Sequence, residues 1–334
     1  MIQLKVCPST LAEGYDTYCP AARRALFDGA KVSHCLNVHS PANDDREAQE
    51  ALKNVGRISL SGAQPKFSMV VGADLSLRYT EEGEQGTHLL KPRPNSYHLV
   101  NKNYCAANEH LTMQIASQVY GIETAANGLC FFSDGEAAYI TRRFDMQPKG
   151  KCQQEDFTSL LGLTKANGGS DYKYCNGSYE ECAEVISRYV RASRVDMLRF
   201  FSLVVFNFIS LNDDAHLKNF SLINLGDEYW LSPAYDLINT SLHLYEPRIF
   251  ALEKGLFREG MSMSDTRSVG RKDFMEFGRR IGLPENLIKR ELDRFSQDSP
   301  LAESLIDRSF LSDNLKREYR QSTNFRRGML KDGL

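Results

Sequence analysis

A long apolar run near residue 200 constrains the fold of this chain more than any other feature. The run extends from Met197 to Leu211 and is interrupted only by Arg199, Ser202, Asn207 and Ser210. It falls short of the ~20 residues that a membrane span requires, so it predicts a helix buried in a large core. The predicted core residues of this helix are Phe200, Phe201, Val204, Val205 and Phe208.

The sequence changes character along its length. Short β-like runs separated by turns (KFSMVVG, SLRYT, THLLKPRP) are followed by an amphipathic helical pattern that Gly121 closes and by a hairpin around Asp134 and Gly135. Beyond Asp145 the sequence is mainly helical, with one short β passage over 220–236. This order predicts an α+β fold with a β-rich smaller lobe over 1–145 and a mainly helical larger lobe over 146–334, and ligands commonly bind between such lobes.

The charge balance limits the classes of partner. The 334 residues include 41 Lys and Arg against 43 Asp and Glu, a net charge of −2, which argues against a strongly electropositive nucleic-acid binder. The basic residues after Asp313 favour a solvated helix face over a phosphate-backbone contact. The first residues, MIQLKVCPSTLAEGYD, lack the pattern of a secretory signal, so we expect a cytoplasmic protein. The spacing of Cys7, Cys19, His34 and Cys35 favours packing over zinc binding.

The block from Asn212 to Asn219, NDDAHLKN, carries the most chemical information. Asp214 and Asn219 lie five residues apart, and Asp236 follows Asn219 by seventeen residues, behind a predicted hairpin. A kinase needs an acidic group near the acceptor hydroxyl, and an Asn and a second Asp to hold Mg²⁺ on the nucleotide phosphates. The same residues also fit structural roles, because Asp213 or Asp214 could cap a helix and Asn219 could satisfy a turn.

Other kinase-like features occur in the expected order. The loop SLSGAQPK, residues 59–66, offers small residues and backbone donors that suit a phosphate-covering loop, although it also fits an ordinary hairpin turn. Lys91 ends a predicted strand and Glu109 lies on the next helix, which is the order of the strand lysine and its helix glutamate in protein kinases and also fits a surface ion pair. Taken in sequence, these features predict phosphoryl transfer.

These motifs together resemble the HipA-type serine/threonine toxin kinase family. SLSGAQPK, HLLKP, NEHLTMQIA, RRFD followed by QED, DAHLKNFS and LSPAYD occur in the order of the family, over about Cys7 to Asp236. The core starts almost at residue 1, so the chain looks like the short HipT member of three-gene HipBST systems, in which HipS and HipB are separate proteins. Ser59 and Ser61 also resemble the two phosphorylatable serines of the HipT loop. The resemblance implies a two-lobed protein-kinase-like fold that uses ATP and Mg²⁺.

The resemblance implies a role for each matching residue. Asp214 is the implied catalytic base, selected over Asp213 by its spacing from Asn219, and Asn219 and Asp236 are the implied Mg²⁺ ligands. In the family a Glu-Arg-Phe stretch lines the adenine side; here an Arg replaces that Glu, which leaves backbone contacts there. The residues implied to contact ATP are Ser61, Gly62, Ala63, Gln64, Pro65, Lys66, Lys91, Arg142, Arg143, Phe144, His216, Leu217, Lys218, Asn219, Tyr235 and Asp236.

The resemblance also implies a biological role. Family members phosphorylate aminoacyl-tRNA synthetases and so stop translation; HipS-like and HipB-like proteins are the implied partners, with DNA contacted only through the HipB-like protein. Autophosphorylation of Ser59 or Ser61 would place negative charge beside ATP and inhibit the enzyme, whereas the residues alone favour hydroxyls that satisfy a β-turn. Two other functions stay open: a catalytically idle module that binds an antitoxin or repressor, and a small-molecule or lipid kinase.

Overall fold

The smaller lobe is built on one antiparallel sheet of five strands. The structure is a computed structural model that describes residues 3–41, 64–95, 99–147, 150–168, 171–174 and 177–331. The strands are β1 (Phe67–Val71), β2 (Leu77–Tyr79), β3 (His88–Lys91), β4 (Asn127–Phe131) and β5 (Ala137–Arg142), and their order in the sheet is β2-β1-β3-β5-β4. The predicted strands and the hairpin between β4 and β5 are confirmed, with Gly135 in the left-handed turn conformation at φ +89°.

Helices dominate the rest of the chain. Two short antiparallel sheets contain β6 (Met146–Gln147) with β7 (Gly150–Lys151), and β8 (Gln154–Asp156) with β9 (Ser221–Leu225) and β10 (Glu228–Leu231). The helices are α1 (Pro20–Phe27), α2 (Cys105–Gln118), α3 (Phe157–Leu160), α4 (Lys165–Gly168), α5 (Tyr179–Tyr189), α6 (Ser193–Ile209), α7 (Met263–Arg267), α8 (Arg271–Arg280), α9 (Glu285–Ser296), α10 (Pro300–Arg308) and α11 (Asp313–Gly328). Single 3₁₀ turns span Lys102–Tyr104, Leu217–Asn219 and Thr240–Leu242. These elements confirm the predicted α+β fold, with a β-rich part followed by a mainly helical part.

Helix α6 is the buried helix that the apolar run predicts. Its five predicted core side chains are all at most 2% exposed and pack in the larger of two hydrophobic clusters. Such burial supplies most of the favourable free energy of folding, because it removes apolar surface from water. No helix in the described part of the chain combines the length and the apolar character that crossing a membrane requires.

Helix α2 differs from the amphipathic helix that its sequence predicts. Residues 105–116 are buried on every side of the helix, because α2 lies between the sheet and helices of the larger lobe. Its buried polar side chains therefore bond inside the protein, as when Gln114 donates to Asn127 at 2.9 Å. The helix ends at Gln118, and the predicted stop Gly121 lies in the turn that follows, with a φ of +59° and an N–H that donates to the Ser117 carbonyl at 3.1 Å.

Two further expectations concern the cysteines of the smaller lobe and the basic helix α11. Cys7 and Cys19 are buried in the hydrophobic cluster of the smaller lobe, where the Cys19 sulfur accepts from the Ala22 N–H at the start of α1. The basic helix α11 is not a solvated face throughout, because Arg326 and Arg327 are buried and Arg327 donates to the Gln297 carbonyl. That part of the expectation is wrong, because the long Arg side chains fold back over neighbouring segments.

His110 makes the stability of this fold depend on pH. It is fully buried in α2, where Nε2 donates to the Ser9 carbonyl at 2.6 Å and Nδ1 has no partner among the residues that the structure describes. Burial lowers the pKa of His110 to about 4, although the bond to Ser9 opposes this. Between pH 6.5 and 4 the unfolded chain therefore binds a proton that the folded chain does not. The free energy of unfolding must fall as the pH falls through this window.

His110→Gln removes this titrating group. The free energy of unfolding of the variant should fall less steeply between pH 6.5 and 4, by up to about 1.4 kcal/mol per pH unit. Urea unfolding at a series of pH values measures the slope, with His39→Gln as the control because His39 is exposed. Equal slopes for His110→Gln and the unaltered chain would contradict the prediction.

Candidate active site

Two lysines and two carboxylates meet where the sheet, α2 and the larger lobe come together. Lys91, the last residue of β3, donates to Glu109 Oε1 of α2 at 2.6 Å and to Asp236 Oδ1 at 2.5 Å. Lys66, just before β1, donates to Asp236 Oδ2 at 3.2 Å. Lys91 and Glu109 are each only 3% exposed. The structure thus brings together four residues that the sequence places up to 170 positions apart.

The charges of this cluster depend on one another. Burial opposes the charge on Lys91, but the carboxylates of Asp236 and Glu109 outweigh it and raise the pKa of Lys91. Burial also opposes the charge on Asp236, yet Lys66 and Lys91 lower its pKa well below its usual range. Burial and the Asp236 charge raise the pKa of Glu109 above its usual value, although Lys91 acts in the opposite direction. Asp236 is therefore a firmly ionised carboxylate between two cations.

The backbone presents Asp236 to this cluster in an uncommon conformation. Its φ is +56°, in the left-handed region that Asp and Asn tolerate better than most residues. Two residues earlier, Ala234 forms a parallel bridge with Thr124 just after α2. The Asp236 carbonyl accepts from Asn212 Nδ2 at 3.3 Å. Contacts from both lobes therefore hold this strained residue in place.

The block from Asn212 to Asn219, the predicted catalytic loop, connects α6 to β9, and its two aspartates have different partners. Asp213 is mostly buried, which raises its pKa, and its Oδ2 accepts from the Arg248 N–H at 2.8 Å. Asp214 instead accepts from the Tyr174 hydroxyl, with 2.6 Å between Oη and Oδ1. Asn219 Nδ2 donates to the Asp214 carbonyl at 2.8 Å. Asp213 thus stabilises a neighbouring loop, while the Asp214 carboxylate and the Asn219 amide lie on the same turn.

His216 lies beside Asp214 without bonding to it. Its Nε2 is 3.9 Å from Asp214 Oδ1, and neither ring nitrogen has a hydrogen-bond partner among the described residues. Burial lowers the pKa of His216 to about 4, although the Asp214 charge opposes this, so the ring is neutral near pH 7. The Leu217 side chain is buried in the core. Lys218 places Nζ 5.4 Å from the centre of the Tyr172 ring.

The segment before β1 is described only from Gln64 onward, so the predicted site residues Ser59, Ser61, Gly62 and Ala63 lie outside the described residues. Gln64 is buried and its Nε2 donates to the Pro92 carbonyl at 2.9 Å, while its Oε1 has no partner within the described ranges. Pro65 is half-buried and leads directly to the lysine that bonds Asp236.

The predicted adenine-side residues are engaged within the protein. The Arg142 guanidinium donates twice to Asp28, at 2.6 and 2.8 Å, and Arg143 pairs with Asp145. The backbone N–H groups of Arg142 and Arg143 donate to the carbonyls of Ala126 and Thr87. The Arg142 guanidinium is therefore directed towards the end of α1 and its backbone N–H towards the sheet, rather than towards Asp236.

Phe144 and Tyr235, two residues predicted to contact ATP, lie next to each other. The rings of Phe144 and Tyr235 are 5.5 Å apart. The Tyr235 hydroxyl donates to the Lys218 carbonyl at 2.8 Å, which links the residue before Asp236 to the catalytic loop. Burial raises the pKa of this phenol, so it stays a donor at neutral pH.

Three residues of this site were not predicted from the sequence. Asn212 links Asp214 to Asp236, because its Nδ2 donates to the Asp236 carbonyl and its Oδ1 accepts from the Asp214 N–H at 3.3 Å. Tyr174 bonds Asp214, and burial lowers the pKa of the adjacent Lys173, with Lys218 and Lys66 acting in the same direction and Asp214 opposing them. The segment of Lys173 and Tyr174 reads as an ordinary polar loop, so no signal in the sequence marks it.

Known proteins are similar to this chain in sequence and in fold, and they confirm the kinase-like fold that the sequence predicts. The family model described as HipA-like C-terminal domain matches residues 58–302. A protein of Haemophilus influenzae that is named a kinase is 28% identical over 272 residues, 76% of each chain. The serine/threonine-protein kinase toxin HipA of Shewanella oneidensis is 25% identical over 268 residues, 74% of this chain and 56% of the toxin. A solved complex of Shewanella oneidensis HipA with HipB and operator DNA contains a chain with a TM-score of 0.65 and 21% identity, covering 84% of this chain and 70% of that one.

Proposed function

The chain belongs to the HipA-like C-terminal domain family, and we propose that it is an ATP-dependent serine/threonine-protein kinase that acts as the toxin of a toxin–antitoxin system. The observation that carries this proposal is the ionised Asp236 held by Lys66 and Lys91, on the same connected set of residues as Asp214 and Asn219. Two cations suit the phosphates of a nucleotide, and a carboxylate nearby suits a proton acceptor. An idle binding module would have no need of this arrangement.

In the proposed reaction the acceptor oxygen forms a bond to the γ-phosphorus of ATP. The bond from that phosphorus to the bridging oxygen breaks, and ADP leaves with the electron pair. The proton of the acceptor hydroxyl passes to the Asp214 carboxylate. Lys66 and Lys91 hold the phosphates by charge-assisted hydrogen bonds, and Glu109 keeps Lys91 directed at them from α2.

Asn219 and Asp236 fit the proposed Mg²⁺ site. Both offer oxygen ligands, which this cation prefers, and Mg²⁺ typically takes one or two protein ligands beside the substrate phosphates and water. The Asn219 amide nitrogen is already used on the Asp214 carbonyl, so its oxygen is the atom turned to other partners. When bound, the cation would neutralise phosphate charge. The described residues contain no group of three or more His, Cys, Asp or Glu side chains placed to hold a metal without a substrate.

The substrate and partners are proposed from the family. We propose an aminoacyl-tRNA synthetase in the cytoplasm as the protein acceptor. A HipS-like protein and a HipB-like protein are the proposed partners, and operator DNA would be reached through the HipB-like protein. The structural relative supports the second of these partners, because that HipA is seen with HipB and its operator.

Asp214→Asn tests the proposed base. The change removes the charge, keeps the size, and leaves an amide oxygen that can accept from Tyr174, so the fold and ATP binding should be unchanged. Transfer of the γ-phosphate should fall roughly 100- to 10,000-fold, because a positioned base contributes about this much. The measurement is transfer from ATP to purified synthetases and, in parallel, to a panel of metabolites.

The matched control is Asp213→Asn, since an amide oxygen can still accept from the Arg248 N–H. This variant should retain transfer. Full activity of Asp214→Asn, or loss of activity only in Asp213→Asn, would contradict the assignment, and transfer to metabolites alone would contradict a protein acceptor.

Ser59 and Ser61 are the proposed sites of inhibitory autophosphorylation. A phosphate there adds a charge of about −1.5 to −2 close to the phosphates of ATP, so it should weaken ATP binding. Mass spectrometry should find phosphate on one of these serines in the active chain after incubation with Mg·ATP and on neither in Asp214→Asn. Ser59→Asp or Ser61→Asp should raise the Kd for ATP. An active chain that carries no phosphate at either position would refute the proposal.

A further inference from the structure

The segment of residues 171–174 is fixed to the catalytic loop by its backbone. The Lys173 carbonyl accepts from the Leu217 N–H at 3.1 Å, and the Tyr174 carbonyl accepts from the Glu253 N–H at 3.1 Å. The Tyr174 N–H donates to the Asp171 carbonyl at 2.8 Å and closes a turn. Because the backbone is bonded on both sides of Tyr174, its side chain starts from a defined position.

The phenol of Tyr174 meets the carboxylate proposed as the base. Its hydroxyl donates to Asp214 Oδ1 at 2.6 Å, a short distance typical of a bond to an ionised acceptor. The ring packs edge-on against His216, with centroids 5.0 Å apart and an angle of 72°. It is half-buried against the main hydrophobic cluster. The hydroxyl is therefore held by its own ring and backbone rather than by the aspartate alone.

His216 cannot perform the same task in this arrangement. Its Nε2 lies 3.9 Å from Asp214 Oδ1, beyond hydrogen-bond distance, and neither ring nitrogen has a partner in the part of the chain that the structure describes. The bonds of Asp214 with Asn219 and Asn212 involve its backbone carbonyl and N–H, whereas the bond from Tyr174 reaches the carboxylate itself. A carboxylate acts as a base only when one oxygen points at the acceptor proton.

We propose that Tyr174 is a positioning residue for phosphoryl transfer: its hydroxyl holds Asp214 Oδ1 and so orients the carboxylate for the acceptor hydroxyl. This inference rests on the proposed kinase function and adds a residue to it. The contribution of Tyr174 is the alignment of the base, which appears in kcat and not in the binding of ATP.

Tyr174→Phe removes only the hydroxyl and keeps the ring against His216. The kcat for transfer should fall roughly 10- to 100-fold through loss of alignment, while the KM for ATP and the Tm stay within the range of the control. Tyr172→Phe is the matched control: it lies two residues away, and the ring that Lys218 contacts is kept. The control should have the kcat of the unaltered chain.

The outcomes separate this inference from the function on which it rests. If the unaltered chain transfers phosphate and Tyr174→Phe has the same kcat, the inference alone is overturned. A rise in the KM of Tyr174→Phe at constant kcat has the same consequence. A higher kcat in Tyr174→Phe also overturns it, because the hydroxyl would then block the acceptor position. No transfer by the unaltered chain overturns the proposed function and the inference with it.

Discussion

The buried contact of Lys91 with Glu109 and Asp236 ties the whole molecule together. Its three members come from the sheet, from α2 and from the segment after β10. Removing one partner from a buried ionic cluster leaves an uncompensated charge, which is strongly destabilising. The last residue of β3, the middle of α2 and the left-handed turn at Asp236 are therefore held in one relative position. The site exists only when both lobes are folded and in contact.

The charges of this cluster are arranged for an anionic ligand. Two cations face the Asp236 carboxylate, and the charge on Glu109 is opposed by burial and by Asp236. A nucleotide that brings its own phosphates can share the lysines, and a divalent cation can share Asp236. The strained backbone at Asp236 persists because the surrounding contacts fix it in place.

The sequence could predict the features that follow from local pattern and chain order. The strands, the buried helix α6 and the pairing of Lys91 with Glu109 all follow from periodicity or from the order of motifs. The burial of α2 on all sides could not be predicted, because it depends on a second layer of structure from distant segments. Tyr174 was also missed, since its contact with Asp214 spans 40 residues and no motif surrounds it.

The central claim is that Asp236 holds a cation while Lys66 and Lys91 hold phosphates. It is tested most directly by the affinity of ATP for the unaltered chain and for Asp236→Asn, each with and without Mg²⁺. Asn tolerates the left-handed backbone at this position, its oxygen can still accept from the lysines, and Glu109 still balances the charge of Lys91, so the variant should fold, which its Tm checks. With Mg²⁺ the variant should bind ATP more weakly, because a ligand of the cation is lost. Without Mg²⁺ it should bind more tightly, because a carboxylate no longer competes for the lysines. Changes of the same sign under both conditions would contradict the claim.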